Sequence, residues 1–102
     1  MKYVYLIQSL EDSRYKIGVS KNPQKRMKQL QTGNSSELKL IESYPSELAY
    51  QIEKTLQRRY SYLKREGEWF EMSISHEVNF LKECQQTEET ISILKKSGNV
   101  FI

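Results

Sequence analysis

Tyr3-Val4-Tyr5-Leu6-Ile7-Gln8, then a polar turn, then Tyr15-Lys16-Ile17-Gly18-Val19-Ser20: the fold turns on this stretch. Five apolar or aromatic residues in a row predict a first strand covered on both faces. The second segment alternates. Tyr15, Ile17 and Val19 share one face, and Lys16, Gly18 and Ser20 share the other. With residues 9–14 as a turn, the two segments predict an antiparallel hairpin. Working outward, Asn22-Pro23 reads as a helix start, with Asn as N-cap and Pro as the first helical residue. Gly33 marks its end, and Pro23, Met27 and Leu30 share one side. Leu38, Leu40, Ile41 and Tyr44 predict a third strand. Pro45 and Ser46 are expected to open a second helix, with an apolar stripe from Leu48 and Ala49 through Ile52, Leu56, Tyr60 and Leu63. Ser75 is expected to cap a third helix bearing Val78, Leu81 and Cys84. Residues 87–96 either continue it or form a fourth helix ending before Gly98. The expected class is α/β, a small, mainly antiparallel three-stranded sheet flanked by helices in the order β-β-α-β-α-α.

The chain has 102 residues, 37% hydrophobic and 28% charged, which predicts one soluble globular domain over residues 1–102. No apolar run approaches the roughly 20 residues of a membrane span, and no signal-peptide pattern opens the chain. Cys84 is the only cysteine, so an internal disulfide and a cysteine-clustered zinc site are excluded. A buried, inert thiol and a cytoplasmic setting are expected. Charge is uneven. Residues 1–65 hold 13 Lys and Arg against 6 Asp and Glu, a balance of +7, and residues 66–102 hold 3 against 7, a balance of −4. A basic front half suits a polyanionic partner, since Lys and Arg displace counterions from phosphate. Charge alone suits a solvated basic surface equally well.

The hairpin and the helix after it resemble the GIY-YIG endonuclease superfamily over residues 3–72, with the C-terminal helices at 75–96 beyond the matched region. The resemblance rests on Tyr3-Val4-Tyr5 as a first motif and Lys16-Ile17-Gly18 as a second. It also rests on Arg26 in the first helix and Glu53 in Ala49-Tyr50-Gln51-Ile52-Glu53. Lys16 stands where the second motif has a tyrosine, and Tyr15 is one position early, on the opposite strand face. The late Gly67-Glu68-Trp69-Phe70 looks like a phage and bacterial subgroup. The resemblance implies a metal-dependent DNA endonuclease with DNA as partner, in which Mg²⁺ or Mn²⁺ is held by Glu53.

Within that reading, the expected catalytic residues are Tyr5, Lys16, Arg26 and Glu53. One carboxylate leaves a hard cation mostly water-ligated, which Mg²⁺ tolerates. Glu53 flanks the apolar stripe, about 40° around the helix from Ala49. Tyr5 is the candidate for handling the nucleophilic water. Its phenol needs nearby positive charge to act as a base, which Lys16 is placed to supply unless it binds the phosphate itself. Arg26 borders the buried side of its helix, where a guanidinium can fork onto phosphate oxygens. Lys21, Lys25, Lys28, Lys54 and Arg58 are expected nucleic-acid contacts, as against an ordinary solvated face. Gly18 is expected to leave room for a close approach. Trp69 and Phe70 are expected to close the core rather than stack a base, and His76 to be structural. Two other readings stay open: a module that binds nucleic acid without cleaving it, and a protein-interaction domain.

Overall fold

The computed structural model describes residues 1–98, so residues 99–102 of the expected domain lie outside the described part. Strands β1 (Lys2–Ser9) and β2 (Arg14–Ser20) are followed by helix α1 (Pro23–Thr32), strand β3 (Leu38–Ser46) and helix α2 (Ala49–Arg59). A single 3-10 turn (Ser61–Leu63) then leads to helices α3 (Ile74–Val78) and α4 (Phe80–Lys96). The sheet is antiparallel throughout, with strand order β2-β1-β3. The α/β class and the β-β-α-β-α-α order are those expected from the sequence.

Central placement of β1 explains its unbroken apolar run, because both faces are covered. Val4 and Leu6 join Tyr15, Ile17, Ile52, Leu56, Phe70 and Cys84 in the larger core, under α2 and α4. Tyr5 and Ile7 point the other way and pack with Leu38 against Met27 and Leu30 of α1. Ile52 and Leu56 are completely buried. Each stabilises the α2–sheet contact by roughly 1.5–3 kcal/mol. Between Leu6 and Ile7 the register with β3 shifts, leaving Ile41 without a directly opposed residue.

α1 begins and ends as its sequence predicts. The Asn22 side chain accepts a hydrogen bond from the Lys25 amide at 3.1 Å, Pro23 is the first helical residue and Gly33 is the C-cap. α2 does not begin as expected. Pro45 and Ser46 finish β3, an edge strand where a missing amide hydrogen costs no ladder bond. The Ser46 hydroxyl accepts from the Leu48 amide at 2.9 Å, and the helix starts at Ala49.

The third helix also differs. Its N-cap is Ser73, whose amide donates to His76 Nδ1 at 3.0 Å. His76 also packs edge-on against Tyr60, so its role is structural. Asn79 breaks the helix, and the break resets the phase of the stripe. Phe80, Cys84, Thr87 and Ile91 are buried, whereas Val78 and Leu81, expected in the core, are exposed. Burial pushes the Cys84 thiol up to about 12, which makes it the inert cysteine expected. Among the described residues, no helix is long and apolar enough to cross a membrane.

Candidate functional site

Pairing of β1 with β2 sets Tyr5 opposite Gly18 and Ile7 opposite Lys16, so all four share the sheet face that looks toward α1. A Cβ on Gly18 would lie 2.2 Å from the Tyr5 hydroxyl oxygen and 2.3 Å from its Cζ. The room left by glycine is therefore filled by the Tyr5 ring, which crosses the β2 backbone and carries its hydroxyl toward the strand's outer edge. No residue with a Cβ allows that path. Tyr15, one position before Lys16, packs in the larger core and donates its hydroxyl to Glu77 at 2.7 Å, well away from this face.

Along the outer edge of β2 lies a polar cleft of about 260 Å³. Tyr5, Lys16 and Gly18 reach it from the sheet, Arg26 from α1, Glu53 and Gln57 from α2, and Glu68 from the loop after the 3-10 turn. The four residues expected to carry chemistry thus meet in one place. Glu53 and Gln57 are one helical turn apart on the same side of α2. Gln57 donates from Nε2 to the Ile17 carbonyl at 3.0 Å, which ties α2 to the edge strand and fixes where Glu53 stands.

Lys16 is 7% exposed, unusual burial for an ammonium group. Its counterion is the carboxylate of Glu68, itself on an exposed side chain. That contact holds the Glu68 carboxyl below the usual carboxylate range, helped by Lys64 and Arg26. Glu53 is half-buried and takes part in none of the ion pairs among the described residues. Burial pushes its carboxyl up, and the negative charge of Glu68 adds to the rise against the opposing pull of Lys16 and Lys54. Burial likewise pushes the Tyr5 hydroxyl up. The cation that most opposes this is Arg26 and not Lys16, although the hydrogen bond Arg26 makes is to Gln29, at 3.5 Å. The expectation that Lys16 lowers the Tyr5 pKa is thereby corrected: Glu68 takes up the lysine's charge, and desolvation of the phenol dominates.

The other predicted cations divide. Lys54 and Arg58 line two clefts along α2, of about 440 and 370 Å³. Both are larger than the cleft at β2, but neither contains a carboxylate, and Gln57 connects the second of them to it. Lys21 lines a separate cleft with Lys2 and Tyr50. Lys25 and Lys28 are exposed on α1 and border none of these clefts. Phe70 is buried, exchanging backbone hydrogen bonds with Tyr15 at 2.7 and 2.8 Å, and Trp69 packs on the Tyr5 cluster, so both close the core.

Glu68 was not among the expected site residues. It stands on a short loop closed by the Arg65 amide donating to the Trp69 carbonyl at 2.9 Å and turned by Gly67 at φ +66°. Loop residues carry no periodicity. The available signal was the turn glycine immediately before an acidic residue in a Gly-Glu-Trp-Phe segment whose aromatic end is anchored in the core.

Comparison with curated proteins and with solved structures gives no match. Residues 2–92 match the T5orf172 domain, and no GIY-YIG family matches. The resemblance to GIY-YIG endonucleases is therefore corrected. Its motifs are short and far apart, and Lys16 already stood in the place of the second motif's tyrosine. The matched family is a nuclease-like one, compatible with a function on nucleic acid and with DNA as partner. With the match running from β1 into α4, the chain belongs to the T5orf172 domain family.

Proposed function

We propose that the cleft at the β2 edge hydrolyses DNA phosphodiester bonds in a metal-dependent reaction. The observation that carries this reading is the convergence of Tyr5, Lys16, Arg26 and Glu53 on one polar cleft from four different elements. A site that only bound phosphate would have no use for a half-buried carboxylate, which repels the ligand.

Glu53 fits a hard divalent cation. Its oxygens are the right donors, its charge is uncompensated by an ion pair, and a second carboxylate nearby raises the negative potential. Held by Glu53, such an ion would take its remaining ligands from water, as Mg²⁺ tolerates. Mg²⁺ or Mn²⁺ bound there supplies charge neutralisation at the phosphoryl oxygens and a more acidic water. Arg26 forks onto the non-bridging oxygens as charge develops. Tyr5 keeps its proton at neutral pH, because burial raises its pKa, and it orients the attacking water by hydrogen bonding. Lys16 binds the phosphate. Lys54 and Arg58 follow the backbone away from the cleft, and Lys21, Lys25 and Lys28 add to its electrostatic capture.

Two measurements test this reading. DNA affinity is expected to fall steeply between 50 and 200 mM salt, by about 10-fold or more if three or more phosphates are neutralised. A flat salt dependence removes phosphate from the account. Arg26→Ala is expected to lower the cleavage rate by about 10²-fold. Arg26 is exposed, and its side-chain hydrogen bond to Gln29 is 3.5 Å long, so stability should change by no more than about 0.5 kcal/mol. A large fall in melting temperature with an unchanged rate per folded molecule would make Arg26 structural.

A further inference from the structure

The Lys16–Glu68 pair is an odd arrangement for stability alone. Lys16 projects from an edge strand yet is almost wholly buried, with its side chain 9% exposed, while the Glu68 side chain is 75% exposed. A buried ammonium needs an anion, but one borrowed from a solvated loop is easily withdrawn. Glu68 is also not merely paired. Its carboxylate stands in the field of Lys16, Lys64 and Arg26 together. Lys16 of β2 and Arg26 of α1 line, with Glu68, the cleft that also holds Tyr5 and Glu53.

The loop can release that carboxylate without unfolding. Its ends are held by backbone bonds, from the Arg65 amide to Trp69 and between Phe70 and Tyr15. None of them involves the Glu68 side chain. Rotation about its own side-chain bonds takes the carboxylate into solvent and leaves the core undisturbed.

We infer that the Lys16 ammonium, with Arg26 in the same cleft, is an oxyanion site for a nucleic-acid phosphate, and that the Glu68 carboxylate occupies it until a phosphate displaces it. This rests on the nucleic-acid reading above and deepens it by naming the anion's seat and its resident competitor. A phosphodiester offers the same charge as the carboxylate and an additional face of oxygen acceptors for Arg26. Glu68 thereby keeps a buried lysine paired in the free protein and sets a threshold that weakly held anions do not pass.

The test uses the whole chain in EDTA, so that no cleavage intervenes, with wild type, Glu68→Gln, Lys16→Gln and the double variant. Two probes are applied: inorganic phosphate, read by the shift in melting temperature, and a labelled oligodeoxynucleotide, read by affinity across salt. Glu68→Gln keeps an amide oxygen to accept from Lys16, so the fold persists, and each variant's melting temperature without ligand checks this. Expected is a larger phosphate-induced shift for Glu68→Gln than for wild type. Oligonucleotide affinity should rise about threefold or more, with a salt slope steeper by about 0.7–0.9. Both gains should vanish when Lys16 is also replaced. If Glu68→Gln gains equally with and without Lys16, the effect is general repulsion and the site is overturned. If it gains nothing, Glu68 is only a structural counterion. If phosphate behaves as expected but no protein binds the oligonucleotide, the oxyanion site stands and the nucleic-acid reading falls.

Discussion

Glu53→Gln is expected to abolish metal-dependent cleavage, by about 10³-fold or more, while DNA affinity holds or rises. The substitution keeps the size and shape of the side chain and removes the charge that attracts a hard cation. Losing several kcal/mol of transition-state stabilisation corresponds to that factor. Affinity should hold or rise because the substitution removes a carboxylate from beside the proposed phosphate path. Stability should not fall, and the sign follows from the environment. Burial and the Glu68 charge raise the Glu53 pKa, so the ionised form is disfavoured in the folded state. That penalty is present above the folded-state pKa and is relieved as pH falls through it. A neutral glutamine removes it at neutral pH, so the melting temperature should be unchanged or higher. No other carboxylate is positioned to take over. Glu68 is paired with Lys16 in the free protein and turns into solvent when a phosphate displaces it, and Glu42 and Glu47 lie outside the cleft. Equal cleavage by wild type and variant would show that Glu53 is not the ligand.

Gly18→Ala is the second large effect, and it acts through Tyr5. The added methyl would sit 2.2 Å from the Tyr5 oxygen, far inside any real contact, and the atoms it meets belong to a ring 2% exposed and packed among Ile7, Met27 and Leu30. The ring must move or the strands must separate. Forcing a methyl into such a contact costs about 1–3 kcal/mol. It also takes the Tyr5 hydroxyl out of the cleft, so cleavage should fall by about 10²-fold or more even in the folded fraction. Tyr5→Phe in the same background separates the two effects. With the hydroxyl already gone, Gly18→Ala should still destabilise but should lower the rate no further. An alanine variant as stable and as active as wild type would mean that the ring does not cross Gly18.

These residues also show how far the sequence carries. The hairpin was legible because strand alternation and a polar turn are local properties, although the turn expected over residues 9–14 is only 10–13, with Ser9 and Arg14 paired in the strands. Helix α1 was legible because Asn22-Pro23 and Gly33 are capping chemistry. The start of α2 was not, because Pro45 has two meanings. It suits a helix start, but it is equally at home on an edge strand, and only the strand order shows that β3 is an edge. The Asn79 break was missed for a similar reason. Ser73, Ser75 and Asn79 all have capping chemistry, and choosing Ser75 put Val78 and Leu81 on the wrong side. In the site, Tyr5, Lys16, Arg26 and Glu53 were singled out by the resemblance to GIY-YIG motifs, a family assignment that the T5orf172 match corrects, and the tertiary structure still brings them to one cleft. Glu68's place in the site was beyond reach, since the turn glycine before it marks a loop but not that the loop folds back over β2. So was the direction of the Tyr5 pKa. The sequence suggests a nearby cation, but only the packed structure shows that the cation is already paired and that burial prevails.

We propose that this cleft cuts DNA with the help of a divalent ion. The most direct measurement is incubation of the wild-type protein with nicked, branched and linear DNA, in Mg²⁺, in Mn²⁺ and in EDTA, with products resolved over time. Cleavage of at least one substrate with either metal, and of none in EDTA, is the predicted result. Cleavage that persists undiminished in EDTA, or binding without any product across all substrates and both metals, would contradict it.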